Sequence, residues 1–205
     1  MAFEIELKAR LVDYAPVKER LSNLGNYCRS YTKSDAYWLQ SNHRLPVTER
    51  QLPPSGVRVR RESSPDAEGA AEAAVAELVL VTYKTKEISG GIEVNDEREF
   101  TVSDGAVFEE LLERLGLYPD IRKEKQGWAW NIPAQADGQS PVLAELSMVA
   151  GLGWFLELEI LADNNSEQTV EESRKRLMAL LEKLEIPAEQ IESKPYTMML
   201  RELRG

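Results

Sequence analysis

The sequence predicts an α+β domain organised on one mainly antiparallel sheet, strongly curved or closed on itself. Three observations lead there. Segments of alternating polarity, about eight of them, outnumber the three main helical stripes, and most follow one another through hairpin-type connections. Pairs of like charges at a spacing of two residues recur on strand after strand. No linker is long or biased enough to mark a second unit, so residues 1–205 are read as one domain, a size that suits a single core.

Composition sets the outer bounds. The chain carries 25 Lys and Arg against 35 Asp and Glu, a net charge of -10. That balance argues against broad nucleic-acid binding, because no excess positive field exists to attract a phosphate backbone. It leaves room for a locally basic pocket. No apolar run approaches the ~20 residues needed to cross a bilayer, and Met1-Ala2-Phe3-Glu4 lacks the features of a signal peptide. The expectation is a cytoplasmic protein with no membrane partner. A single cysteine, Cys28, excludes an internal disulfide, fits a reducing compartment and is expected as a buried thiol. With His43 the lone histidine, no zinc site of the His/Cys kind has a basis, and no motif supports a Cys–His nucleophile.

In order, Phe3–Lys8 alternates strictly, with Phe3, Ile5 and Leu7 on one face and Glu4, Glu6 and Lys8 on the other. A helix follows, capped by Asp13, with Pro16 early, a stripe of Val17, Leu21 and Leu24, and Gly25 at its end. Residues 27–39 read as extended, and Asn42–Pro54, with three prolines, as a loop or irregular hairpin. Gly56–Arg60 resumes alternation. Residues 62–77, rich in Ala, Glu, Ser and Gly, read as a mobile hairpin connection. Leu78–Lys86 and Ile92–Val102 are strands around a Ser89-Gly90-Gly91 turn. Ser103 then caps a helix with Phe108, Leu111, Leu112 and Leu115 inward and Gly116 at its end. Ile121–Trp130 is extended, Gln135–Pro141 a turn, and Val142–Val149 a strand. Gly151-Leu152-Gly153 joins it to Trp154–Ile160 as a hairpin. A long helix over 166–185, with Val170, Leu177, Leu181 and Leu184 as its stripe, precedes short helical pieces at Ala188–Glu192 and Tyr196–Leu203.

The charged faces repeat. Glu4-x-Glu6, Glu97-x-Glu99 and Glu157-x-Glu159 each lie on a strand that precedes a helix. Arg58 and Arg60, Lys84 and Lys86, and Lys123 and Lys125 supply basic pairs at the same spacing, with Lys8 on the first strand. Two arrangements satisfy this pattern. The faces point to water, or a closed sheet turns them into a polar lumen while Ile5, Leu7, Val57, Val59, Leu156 and Leu158 pack against helices outside. Converging carboxylates suit hard cations such as Mg²⁺ or Mn²⁺. Converging Arg and Lys suit an oligophosphate.

Glu4-Ile5-Glu6-Leu7-Lys8 matches the ExExK signature, and the chain resembles the CYTH superfamily, the triphosphate tunnel metalloenzymes, which includes class IV adenylate cyclases and thiamine triphosphatases. Asp35-Ala36-Tyr37-Trp38 looks like that family's D-x-Y-F segment, Val57-Arg58-Val59-Arg60 its L-R-I-R strand, and Val81-Thr82-Tyr83-Lys84 its L-T-x-K strand. Arg98-Glu99-Phe100 resembles its R-x-E region, Lys123-Glu124-Lys125 its K-x-R pair, and Gly151–Glu159 its G-L-G-x-F-x-E-x-E hairpin. The resemblance implies an eight-stranded antiparallel closed β-barrel, or tunnel, with flanking helices. It also implies phosphate binding by Lys8, Arg58, Arg60, Lys84, Lys123 and Lys125. Lys86 stands where many relatives have a small residue or proline, and is a candidate for phosphate contact or a rim lysine in solvent. Metal binding falls to Glu4, Glu6, Glu157 and Glu159, with Glu99 nearby. Glu4, Glu6 and Lys8 then stand as the catalytic set. The chain departs from the pattern at Ser147, where many relatives carry an aspartate. Glu145, two residues earlier on the same face, is expected to replace it as a metal ligand. Lys125 stands for the usual arginine.

The implied function is a divalent-metal-dependent enzyme, with Mg²⁺ or Mn²⁺, acting on a small triphosphate. The segments 35–60 and 81–95 look more like the class IV cyclase branch, which converts ATP to cyclic AMP and pyrophosphate. A triphosphatase acting on thiamine triphosphate or tripolyphosphate, and a module that binds polyphosphate without turnover, are the alternatives. The oligomeric state is left open, with a homodimer among the options.

Overall fold

Eight antiparallel strands form one continuous hydrogen-bonded ladder. They are β1 (Phe3–Leu11), β2 (Asn26–Gln40), β3 (Val57–Ser63), β4 (Leu78–Ser89), β5 (Ile92–Thr101), β6 (Leu117–Ile132), β7 (Val142–Val149) and β8 (Gly153–Ala162). The structure is a computed structural model. It describes residues 3–40, 56–64, 77–89, 92–134 and 139–204, with the side chains of 40, 84–89 and 93–97 outside that description. The ladder runs β1-β5-β4-β3-β2-β6-β7-β8 and returns to β1 as a closed barrel.

The closing seam is short. β1 pairs with β8 along its whole length, from Phe3 opposite Ala162 to Leu11 opposite Trp154. With β5 it pairs only from Phe3 opposite Asp96 to Leu7 opposite Ile92. Beyond Leu7 the edge of β1 turns to the C-terminal segment instead, through an Ala9–Ile191 bridge and a hydrogen bond from the Glu192 amide to the Lys8 carbonyl. The sheet is thus closed over half of β1 and curled open over the rest.

Helices α1 (Ala15–Leu24), α2 (Gly105–Arg114), α3 (Glu167–Lys183) and α4 (Tyr196–Glu202) surround it, with a 3-10 turn at Ala188–Gln190. Alternation decides which face they cover. Ile5, Leu7, Leu156 and Leu158 are fully buried and share a core with Val17 and Leu21 of α1 and with Leu177 and Leu181 of α3. Each such aliphatic side chain contributes about 1.5–3 kcal/mol when withdrawn from water. Val57 and Val59 pack with Ala36, Trp38, Leu112 and Phe108 beneath α2. The third cluster lies elsewhere. Phe155 shares its strand face with Glu157, and there it packs with Val149, Leu152, Tyr196 and Met199 under α4. α4 therefore covers one end of the charged face and the other three helices cover the apolar one.

Local details differ from expectation at several points. In α1, Leu24 is 38% exposed, so the stripe ends at Leu21. Asp13 still accepts a hydrogen bond from the Ala15 amide at 3.0 Å. The cap of α2 is Asp104, whose carboxylate accepts from the Ala106 and Val107 amides, rather than Ser103. Leu111 and Leu115 are exposed, leaving Leu112 and the partly buried Phe108 to hold the helix down. β3 runs on through Glu62 and Ser63, and β6 starts at Leu117. Cys28 is exposed, because a register shift between Tyr27 and Arg29 interrupts the alternation at that residue. The loop expected at Asn42–Pro54, the Gly90-Gly91 turn and most of the connection over 62–77 lie outside the described residues. Between β7 and β8, Gly151 (φ 79°) and Gly153 (φ 101°) take left-handed conformations that a side chain rarely adopts, which makes the tight hairpin possible.

Candidate active site in the charged interior

The face opposite the helices collects the charges that the sequence spaced two apart. Around the ladder, Glu6 of β1 stands opposite Glu159 of β8, and Lys8 opposite Glu157. Glu157 stands opposite Glu145 of β7. Lys123 and Lys125 of β6 stand opposite Asp35 and Lys33 of β2. Asp35 stands opposite Arg60 of β3, and Tyr37 opposite Arg58. Arg58 stands opposite Thr82 of β4, and Thr82 opposite Glu99 of β5. Lys84 and Lys86 lie on β4, paired through their backbones with Glu97 and Asn95. Their side chains are outside the described part.

Two ion clusters dominate. In the first, Asp35 is fully buried and receives Arg60 through two hydrogen bonds, Nε at 2.7 Å and Nη2 at 2.9 Å, with Lys123 Nζ at 3.0 Å. Burial pushes the Asp35 carboxyl up, but Lys123 and Arg60 together outweigh it and hold it well below the usual carboxylate range. In the second, Glu145 receives Lys33 Nζ at 2.5 Å, Lys125 Nζ at 3.0 Å and the Tyr31 hydroxyl at 3.2 Å. Lys125 also pairs with Glu157. Burial raises the Glu145 carboxyl, yet Lys125 and Lys33 bring it well below its ordinary value. The Glu157 carboxyl, raised by burial and lowered by Lys125, settles at about 2. Lys33 responds the other way. Burial lowers its ammonium, and although Glu145 opposes this, Lys125 and Arg60 add to the lowering.

A third group ties the C-terminal segment to the interior. The Lys8 ammonium donates to the Lys194 carbonyl at 2.8 Å and sits 4.4 Å from the Tyr196 ring centroid, with Lys123 at 5.0 Å from the same ring. The Tyr196 hydroxyl is buried without a hydrogen-bond partner among the described residues. At the opposite side of the ring of strands, Arg58 donates to Thr82 Oγ1 at 2.8 Å, and Thr82 donates to Glu99 at 3.1 Å.

The carboxylates expected to hold metal lie at different places in the interior. Glu145 and Glu157 are occupied by ammonium groups, with Lys125 standing between them, and Glu99 belongs to the Thr82–Arg58 chain. Glu6 and Glu159 face each other across β1 and β8, with Glu4 two residues along. No three carboxyl, imidazole or thiol side chains come together as a metal-holding group among the described residues. One or two carboxylates with the remaining positions left to water and phosphate is the usual mode for Mg²⁺, and the Glu6–Glu159 pair fits it.

Pattern reading assigned no role to Tyr31, Lys33, Thr82 or Tyr196, and named Asp35 only as part of a motif. A signal existed for β2, since Tyr31-x-Lys33-x-Asp35-x-Tyr37 shows the same spacing of two. Tyr196 had none, because it reaches the interior from a helix.

Fold and site together define a class: an antiparallel eight-stranded barrel whose interior is lined by ion-paired Lys, Arg, Asp and Glu. The family model for the CYTH domain matches residues 2–196, and the chain belongs to that family. Among solved structures, the PH1819 protein from Pyrococcus horikoshii OT3 is 23% identical with a TM-score of 0.76, covering 98% of this chain and 99% of that one. A candidate adenylate cyclase from Vibrio parahaemolyticus is 17% identical with a TM-score of 0.67, over 97% of this chain and 98% of its own. HpAC1 from Hippeastrum, a candidate adenylyl cyclase described as revealing a dominant triphosphatase activity, is 14% identical with a TM-score of 0.61, over 98% and 96%. At these identities the likeness is one of fold. No curated protein matches the sequence significantly. Among the described residues, no helix is long and apolar enough to cross a membrane.

Proposed function

We propose that the charged interior binds a triphosphate and that the chain is a divalent-metal-dependent enzyme acting on it. One observation carries this reading. Lys8, Lys33, Arg58, Arg60, Lys123 and Lys125 share one face of the curled sheet, and all are largely withdrawn from water. Withdrawing that many cations costs several kcal/mol each unless anions offset it; carboxylates do so here, and a triphosphate, with denser charge, is the small anion that suits the same cations. Arg58 and Arg60 suit bidentate contact with phosphate oxygens, while Lys8, Lys123 and Lys125 act as compact charges. Lys84 and Lys86 belong to the same set by position on β4.

Glu4, Glu6 and Glu159 would hold Mg²⁺ or Mn²⁺, joined by Glu157 if Lys125 turns from it to a phosphate. The bound ion supplies Lewis acidity toward phosphate oxygens. The protein's own part is positioning: the strands fix the cations along the chain of phosphates, and Lys8, braced by the Lys194 carbonyl and the Tyr196 ring, presents its charge at a set place.

The cyclase form of this reading, ATP to cyclic AMP and pyrophosphate, rests on the resemblance of segments 35–60 and 81–95. Hydrolysis of thiamine triphosphate or tripolyphosphate is the second form, favoured by the concentration of cations suited to phosphate in the interior. It is also favoured by the triphosphatase activity described for the Hippeastrum protein. Ser147, together with the lysine-held Glu145, keeps binding without turnover as a third. Incubation with ATP, thiamine triphosphate and tripolyphosphate, with Mg²⁺ or Mn²⁺ and with EDTA, separates them by product. Cyclic AMP with pyrophosphate marks the first, and inorganic phosphate the second. Turnover undiminished in EDTA would remove the metal role of every glutamate named, and tight binding without product would leave only the third.

A further inference from the structure

We infer that Glu145 is an internal stand-in for a phosphate group: it fills an anion subsite between Lys33 and Lys125 and so limits how long a phosphate chain the interior accepts. This rests on the triphosphate reading above.

The geometry is that of a built anion site. Three donors converge on one buried carboxylate, namely Lys33 Nζ at 2.5 Å, Lys125 Nζ at 3.0 Å and Tyr31 Oη at 3.2 Å. Lys33 and Lys125 are paired in register across β2 and β6, one interior step beyond Asp35 and Lys123. That step is two residues, roughly 7 Å along a strand, comparable to the span of a short phosphate chain. The basic track formed by Arg60 and Lys123 thus continues into the pair that Glu145 occupies.

Register shows that the carboxylate is displaced toward this pair. Lys125 stands opposite Val149 and Gly127 opposite Ser147, whereas Glu145 stands opposite Ala129. β6 and β7 approach so closely at Gly127 that a β-carbon there would meet the Leu146 carbonyl oxygen at 2.2 Å. Ser147 beside it is fully buried and carries no charge. Glu145 therefore reaches along the interior past Ser147 to the two lysines. The ion pairs here are shared rather than exclusive. One carboxylate serves two ammonium groups, and Lys125 divides itself between Glu145 and Glu157. A phosphate, with more charge and more acceptor oxygens than a carboxylate, would satisfy both lysines better.

This assigns Glu145 a role opposite to that of a metal ligand. It acts as a competitor for the substrate's own charge, so its removal should open a subsite rather than disable one. Lys125 Nζ, lying between Glu145 and Glu157, already fills the place where an ion bridging those two carboxylates would sit.

The test is calorimetric titration in EDTA of pyrophosphate, tripolyphosphate and tetrapolyphosphate into the parent, Glu145→Gln and Lys33→Gln/Glu145→Gln. Affinity should stop rising at a chain one phosphate longer in Glu145→Gln than in the parent. The additional phosphate should give at least a tenfold tighter Kd, and the double variant should lose that gain. If Glu145→Gln melts too low for calorimetry, thermal shifts in the same three ligands give the same reading, with the largest rise for the longest chain that fits. The same limiting length in parent and Glu145→Gln would overturn the inference and leave the triphosphate reading standing. A gain that survives in the double variant would also overturn it, since the effect would then be general to the interior. No binding of any of the three by parent or variants, in EDTA or with Mg²⁺ added, would overturn both.

Discussion

Replacing Asp35 by asparagine tests whether the interior is as desolvated and as tightly paired as the register requires. Asp35 is fully buried and accepts two hydrogen bonds from Arg60, with Lys123 at 3.0 Å. Asparagine keeps the size but removes the charge, and it turns an NH₂ toward one of the two cations. Arg60 and Lys123 are then buried side by side with nothing between them to offset their repulsion. Removing one partner of a buried ion pair costs about 3–5 kcal/mol. In a chain of this size 1 kcal/mol corresponds to roughly 2–4 °C, so Tm should fall by roughly 6–20 °C. Thermal unfolding at pH 7, followed by circular dichroism, measures it. A second arm adds saturating tripolyphosphate. Because that anion can replace the lost charge, its stabilising shift should be larger in Asp35→Asn than in the parent. A drop of less than about 1 kcal/mol, or roughly 2–4 °C, would show that water screens the cluster, and the account of a desolvated interior would fall with it.

Arg58→Ala should weaken tripolyphosphate binding by about 2–4 kcal/mol, as loss of one member of a desolvated charge contact does. The fold should remain intact, since Thr82 keeps its hydrogen bond to Glu99. Unchanged affinity by titration would mean that β3 presents a solvated face. Stability should also fall with acid. The carboxyls of Asp35, Glu145 and Glu157 are held below their ordinary values, so the stability they contribute is complete above about pH 4.5 and lost as pH drops toward and through about 2, the value for Glu157. A melting temperature that stays level from pH 5 to pH 2 would contradict the pairing described for all three.

Strand faces were legible because alternation is strict wherever one side of a sheet must be apolar. Ile5 and Leu7 could be set apart from Glu4 and Glu6 by inspection, and the structure buries them accordingly. Helix faces were less so. In α2, Phe108, Leu111, Leu112 and Leu115 have helical spacing, but a helix of ten residues lying on a sheet touches it along a narrow line, and Leu111 and Leu115 fall beside that line. Cys28 was misplaced because a bulge adds one residue and breaks the count of two, which no alternation rule foresees. Partnership was the least visible property. The spacing of two tells which face a charge is on, whereas Glu145 finds Lys33 and Tyr31 from a strand that is not their neighbour, and only the curvature of the sheet brings them together.

That curvature also explains how a chain of net charge -10 can carry a basic interior. The cations are not held as an open positive field. Asp35 is shared by Arg60 and Lys123, Glu145 and Glu157 pair with Lys125, and Glu145 pairs with Lys33. A polyanion entering such an interior does not fall into an empty well. It exchanges places with carboxylates already present, and its net affinity is the difference between two sets of charge-assisted bonds. Selectivity follows from that difference. A single carboxylate ligand gains little over Asp35 or Glu145, while a chain of linked phosphates replaces several internal partners at once and gathers lysines that the carboxylates can only share. On this reasoning the acidic residues of the interior are part of the recognition apparatus. They keep six largely withdrawn cations compatible with a stable fold, and on the proposed function they set the threshold of charge density that a ligand must exceed to displace them.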